Sequence, residues 1–332
     1  MSQRPLDDRT VSALVAAAVA APSMHNAQPW RFRYARGTRT FELRADLART
    51  IPHADPEGRA LHLGCAAALL NLRVALADGG WAADTVLFPD VGDPALLALV
   101  RAAGPAARPG DLAALYPAIP LRHTSRNPFE ERKIPAEVEA DLRETAQQEG
   151  VRLDFATGPH LQAVLAATID AEAYDYMDPE RDADLAHWTR LGGGAGHPAD
   201  DGVPQDAFGP RMRGGRAPVS DFAGRRSVPG RPAADFESSP HLALLSTERD
   251  GPRDWMAAGQ AMERVLLLAT LEGLSSSFAT QVVEWPDLRW MLREPVSGTG
   301  QVQVVLRLGY GPPGTPTPRR PVSEVLDIDG TA

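Results

Sequence analysis

Residues 57–78 and 254–272 are long helical runs so rich in small and aliphatic side chains that neither has a broad face to give to solvent. In the first, Ala60, Leu61, Gly64, Ala67, Ala68, Leu72 and Ala75 spread apolar surface over much of the circumference, as in a helix buried on several sides. Gly79-Gly80 stops the first run and Gly273 the second. Each run follows sheet-forming sequence and precedes a strand and a short helix, and Gly64 and Gly259 fall at similar places within them. The halves thus echo each other weakly. The echo suggests an old duplication rather than a short-period solenoid; coincidence between two alanine-rich helices is the other reading.

A chain of 332 residues has the length for one large or two average domains. The Gly/Pro/Ala stretch 104–110 reads as a seam, giving halves at 1–116 and 117–332. In the first half, Val11, Leu14, Val15, Ala18 and Val19 recur at helical spacing until Pro22 ends the helix. Trp30–Ala35 and Thr40–Ala45 alternate around a four-residue turn and predict a hairpin. A strand is expected at 85–88 and a short helix at 94–103. In the second half the pattern predicts helices over 135–149 and 159–176 and a helical turn or two at 288–293. Strands are expected at 151–156, 241–247, 275–282 and 301–310, and 311–332 is a proline-rich tail. Residues 192–235, rich in Gly, Pro, Arg and Asp, have almost no periodicity. So long a structureless insertion is either disordered or a functional lid.

Two short polar segments interrupt this frame. Residues 21–30 read Ala-Pro-Ser-Met-His-Asn-Ala-Gln-Pro-Trp, a helix end, a compact loop and a strand start. Asn26 and Gln28 each carry a donor and an acceptor, which suits the edge of a flat heterocycle such as a flavin's pyrimidine ring; a plain polar turn is the alternative. Arg122-His123-Thr124-Ser125-Arg126 packs two guanidiniums, an imidazole and two hydroxyls into five residues. Guanidinium forks match phosphate oxygens two at a time and keep their charge; a solvated basic loop is the alternative.

The wording of both segments resembles the nitroreductase family. Pro22-Ser23-x-x-Asn26-x-Gln28-Pro29-Trp30 is similar to the family's early flavin-binding loop, and residues 122–126 to the run that grips FMN phosphate. Gly273-Leu274-Ser-Ser-Ser-Phe278-Ala-Thr280-Gln281 resembles the stretch whose backbone approaches the flavin's reactive nitrogen. Gly309-Tyr310-Gly311 with Arg319-Arg320-Pro321 resembles the C-terminal strand and basic tail. The order of the first two motifs is reversed relative to ordinary members, and about a hundred residues separate them. The pattern is closest to the fused, Acg-like branch.

The resemblance implies an α+β, nitroreductase-like fold, mostly antiparallel sheets with long central helices, duplicated within one chain as a pseudo-dimer. It implies one FMN per chain between the halves. The implied contacts are Ser23, Met24, Asn26 and Gln28 from the first loop, and Arg122, His123, Thr124 and Arg126 from the basic run. Thr280 and Gln281 would lie by the ring and Arg319 by the phosphate, with Arg320 in reserve.

The remaining residues narrow the classes. A net charge of −9 and a pI near 5.4 are a poor match for nucleic acid or an anionic membrane. The charged N-terminus and the lack of a long unbroken apolar stretch lead to an expected cytoplasmic location. Cys65, the single cysteine, rules out intrachain disulfides and reads as a small core residue. The histidines outside the two loops lack ligand-like spacing, so no metal is expected, and Gly192–Gly196 lacks the strand and Lys-Ser/Thr of a phosphate loop. His25 faces either ligand or solvent. Two functions are weighed: an FMN-dependent oxidoreductase, taking electrons from NAD(P)H or another donor and acting on nitro or quinone-like compounds, and a flavin-sequestering protein with little turnover. A monomer is expected, because one chain supplies both halves.

Overall fold

The structure, a computed structural model, describes residues 6–105, 111–192, 200–293 and 300–330. Most of the 104–110 seam, the glycine run from residue 193 onward and His197 lie outside the described residues.

Helix α1 (Asp8–Val19) starts where the Asp7 carboxylate accepts the Thr10 N–H at 2.8 Å, and it buries the apolar stripe read from the sequence. Strands β1 (Trp30–Ala35) and β2 (Thr40–Ala45) form the expected hairpin, with Ala35 opposite Thr40. Trp30, Phe32, Tyr34, Phe41 and Leu43 point inward from it. Helix α2 (Arg59–Asp78) follows, then β3 (Trp81–Leu87) and β4 (Leu96–Pro105).

The expected short helix at 94–103 is instead β4, which pairs antiparallel with both β2 and β3. Its Leu-Leu-Ala-Leu-Val run favours a helix by local propensity. A strand flanked by partners on both edges satisfies every backbone group, and that outweighs propensity.

The second half opens with α3 (Ala136–Gln147), β5 (Arg152–Phe155) and α4 (Gly158–Met177). Helix α5 (Pro179–His187) is additional to the sequence pattern; the Asp178 carboxylate caps it, accepting the N–H groups of Glu180 and Arg181. The segment expected to lack structure contains short pairings: β6 (Thr189–Arg190) with β7 (Val203–Pro204), and β8 (Arg211–Gly214) with β9 (Ala233–Asp235). Strand β10 (His241–Thr247) leads into α6 (Pro252–Leu271) and β11 (Ser275–Phe278). Two short helices, α7 (Gln281–Glu284) and α8 (Pro286–Met291), precede β12 (Gln301–Gly309). The extended run expected to reach residue 282 therefore turns helical at Gln281. The tail carries α9 (Val322–Val325) and β13 (Leu326–Ile328).

The architecture is α+β. One sheet has the order β13-β1-β2-β4-β3, antiparallel except where β13 lies parallel to β1. The other, β11-β12-β10-β5, is wholly antiparallel. The long helices α2 and α6 pack against each other in one continuous core that includes both sheets. A Cβ on Gly259 would fall on the Leu63 carbonyl and 2.6 Å from Ala66 Cβ, so this glycine sets how closely the helices approach. By length and apolarity alone α2 could cross a bilayer, contrary to expectation from the sequence; it is mostly buried inside the protein. Because β13 adds to the first sheet, the tail must run back from the end of β12, in the second sheet, to β1. That path delivers Arg319 and Arg320 to the first-half loop.

Candidate functional site

The turn after α1 is a strained one. His25, Asn26 and Gln28 all have φ between 50° and 55°, a region that side-chain-bearing residues rarely occupy. Hydrogen bonds hold it there. Ser23 Oγ accepts the Gln28 N–H at 2.9 Å. The Asn26 amide donates to Gly202 O and Pro318 O at 2.9 and 3.0 Å, while its Oδ1 accepts Arg319 Nη1 at 3.0 Å. Gln28 is wholly buried; it donates to Asp200 O and accepts the Arg320 N–H, each at 2.8 Å. Both amides are therefore spent on protein rather than offered to a heterocycle, as buried amides must be.

The basic run is fixed by β11. Thr124 bridges Ser276 in parallel and the Ser125 N–H donates to Ser276 O at 2.8 Å. Arg122 then points at the carbonyl end of α1. Its Nη2 donates to Ala20 O at 3.1 Å, the same oxygen that accepts Arg319 Nη2 at 3.1 Å; Arg319 also reaches the carbonyls of Val19 and Ala21. The mid-chain arginine, the tail arginine and the first loop thus converge on one helix end. Arg122 is 3% exposed, and its Nε and Nη1 make no hydrogen bond among the described residues.

This is a crowded positive corner. Burial, and then the neighbouring Arg122, push Arg319 down to about 9. Burial lowers Arg126 to about 10. His123 is pushed below its usual value by burial, then by Arg122 and Arg319. Two buried guanidiniums that share one carbonyl, one of them with N–H groups that make no hydrogen bond among the described residues, are a fit for an anionic group such as a phosphate ester.

These residues line one cavity of about 760 Å³, within the usual range for a bound small molecule. Ser23, Met24, Asn26, Arg122, His123, Thr124, Arg126, Thr280, Gln281 and Arg319 are all in its wall; Gln28 is not, since it lies behind the loop. His25 is in the wall too, with Nδ1 shut off from solvent and burial pushing it down to about 4. The segment 203–236 closes another side. Its Phe222 ring lies under the Arg126 guanidinium at 4.5 Å and edge-on to His25 at 5.5 Å. Arg126 Nη1 also donates to Ala207 O at 2.9 Å, and Ser220 Oγ to Gln281 Oε1 at 3.0 Å.

Sequence reasoning missed the opposite wall, where Glu172, Asp175 and Arg181 from α4 and α5 meet Arg59 and Glu284. Arg181 pairs with Asp175 and Glu284 at 2.9 and 3.0 Å. Burial, reinforced by Asp175, raises Glu284 to about 8 and Glu172 to about 7. The signal available was charge: Arg59 opens a largely apolar helix, and Glu172 and Asp175 sit three apart on α4.

No protein-family model matches the chain. Among curated proteins it is 33% identical over 327 residues to the Mycobacterium tuberculosis protein named "Putative NAD(P)H nitroreductase Rv3131", covering 97% of this chain and 92% of that one. It is 30% identical over 328 residues to "Putative NAD(P)H nitroreductase acg" of the same organism, covering 96% and 95%. A solved structure described as the FMN and NADPH-dependent nitroreductase NfnB of a "sphigopyxis" strain aligns at TM-score 0.40 and 21% identity, over 65% of this chain and 99% of that one. With a third of its residues shared with such relatives over nearly the full length of both, the chain belongs to the nitroreductase family, with Acg among its relatives.

Proposed function

We propose that the chain is an FMN-dependent oxidoreductase holding one FMN in this cavity, between the 23–28 turn and the 122–126 run. The observation that carries the reading is the meeting of Arg122 and Arg319 at the end of α1, in the wall of a cavity of the right size. Arg122 and Arg319 would neutralise the phosphate, with Ser23, His123 and Thr124 as neighbouring donors. The backbone of the Thr280–Gln281 turn would stand beside the ring, where N–H groups stabilise developing negative charge. Phe222 and the 203–236 segment would keep water from the ring face. Bound FMN would supply the redox chemistry, which no side chain here can perform. Nitro or quinone-like compounds are the expected substrate class, and the relatives' names make NAD(P)H the first donor to test. Both loops come from one chain, so a monomer is complete.

The ties from 203–236 to His25, Arg126 and Gln281 favour a second reading, in which this segment covers the flavin and the protein sequesters it. The test has two stages. Purified protein should be yellow, or become so with added FMN, at one flavin per chain; colourless material that takes up no FMN overturns the proposal. Rapid anaerobic bleaching by NADH or NADPH then supports the oxidoreductase, and inertness to both supports sequestration.

A further inference from the structure

Behind the arginine corner lies a group that the proposed FMN contacts do not use. Glu263, in the middle of α6, is 0% exposed, and its Oε1 lies 3.5 Å from Arg122 Nε. Neither carboxylate oxygen completes a hydrogen bond among the described residues, and neither do Arg122 Nε and Nη1. Asn71 of α2, also wholly buried, is near enough to favour the charged carboxylate, yet both its amide atoms lack a partner of good geometry. Six buried polar atoms on three adjoining side chains, whose contacts with one another are long or poorly aligned, are a concentration that a folded interior does not keep without a reason.

The charges supply one. Arg122 and Arg319 share the Ala20 carbonyl and repel each other. Glu263 is the carboxylate that offsets them. At 3.5 Å it is longer than a good charge-assisted hydrogen bond, so Arg122 is held without being saturated. An anion arriving from the cavity would compete with Glu263 for the same guanidinium.

Resting on the FMN reading above, we infer that Glu263 is the positioning residue of the anion-binding end. It aims Arg122 at the cavity and sets, by its own charge, how tightly a phosphate is gripped. With Glu263 neutral, both guanidinium charges are available to the anion. With Glu263 ionised, part of the Arg122 charge is already taken.

Burial raises the Glu263 carboxyl to about 7, against the opposing pull of Arg122, Asn71 and Arg319, so the change of state falls near neutral pH. The charged groups on the elements around it do not blur this. His123 is held below its usual value by burial, then by Arg122 and Arg319, so it gives up its proton more readily than an ordinary imidazole, and Arg319 at about 9 keeps its charge below pH 8. Arg73 of α2 and Arg264 of α6 are tied to Glu149. The second ionisation of a phosphate ester, near pH 6, strengthens binding as pH rises, opposite in sign to the effect of Glu263.

The experiment measures affinity for FMN and for riboflavin, which lacks the phosphate, from pH 6.5 to 8.0, by quenching of flavin fluorescence. In the wild-type chain FMN binding should weaken by roughly five- to tenfold over that interval, as one linked proton requires, while riboflavin binding stays flat. Glu263→Gln should bind FMN at pH 8.0 as tightly as the wild type does at pH 6.5, with no slope. If that variant does not fold, the wild-type comparison alone decides, because a purely structural glutamate would leave only the phosphate's own ionisation, which strengthens FMN binding as pH rises instead of weakening it. A flat FMN profile, an equal slope for riboflavin, or a slope surviving in Glu263→Gln overturns this inference and leaves the FMN site standing. Failure to bind either flavin removes both.

Discussion

Asn26 is tied to two distant parts of the chain at once: Gly202, and the tail at Pro318 and Arg319. A single sequence displays the donors and acceptors of an amide but not who approaches it, and these partners lie 176 to 293 residues away. This is why residues 22–30 could be singled out from their wording, while the protein partners of their side chains could not. Asn26→Ala leaves the Arg319 guanidinium one acceptor short and removes the side-chain ties from the turn to Gly202 and Pro318. A cost of about 1–3 kcal/mol in stability is expected, with weaker FMN binding, measurable by urea unfolding and by flavin titration. An unchanged unfolding midpoint would show that the ties are dispensable. Gln28→Ala should cost stability in the same range but alter FMN affinity less, because its side chain is outside the cavity wall.

Regular alternation made the β1–β2 hairpin legible to the residue, and wrap-around apolarity placed α2 and α6, with ends one or two residues off except at Asp78. Strand β4 was not legible, because a continuous apolar run fits a buried strand and a buried helix equally until its neighbours are known. Strand β13 was hidden for a related reason: its three residues form a strand only because β1 offers them a free edge. At this scale the sharpest test is Gly259. Adding one methyl there would meet the Leu63 backbone and Ala66, neither of which can swing aside, so Gly259→Ala should destabilise by about 1–3 kcal/mol by forcing α2 and α6 apart. Gly37, in the hairpin turn, has open space where a methyl would point and no left-handed φ; Gly37→Ala should leave the thermal midpoint within a degree or so of wild type. Equal midpoints for both variants would mean that the helix pair is not closely packed at its crossing.

The whole molecule carries an electrostatic cost for its cavity, and pH should reveal it. Three carboxyls around or behind the cavity, Glu172, Glu263 and Glu284, are raised by burial to about 7, 7 and 8. A carboxyl whose folded value lies above its unfolded value near 4.5 binds more protons folded than unfolded. Stability therefore falls as pH rises between those values. His25, lowered to about 4, with His62, His123 and His241 also lowered, acts in the opposite sense, but only below about pH 6.5, where an unfolded imidazole takes up its proton. Above that point the carboxyls act alone. The thermal midpoint of the flavin-free chain should therefore drop from pH 6.5 to 8.0, by an amount on the order of 1–3 kcal/mol in stability. Glu284→Gln should flatten the upper part of that fall, since its carboxyl titrates last and Arg181 can still donate to the residue 284 carbonyl at 3.2 Å. A midpoint that holds steady or climbs over the interval would mean that water reaches these carboxyls and they ionise at ordinary values. The acidic wall opposite the arginine corner would then be a solvated surface, and the cavity would owe its electrostatics to the arginines alone.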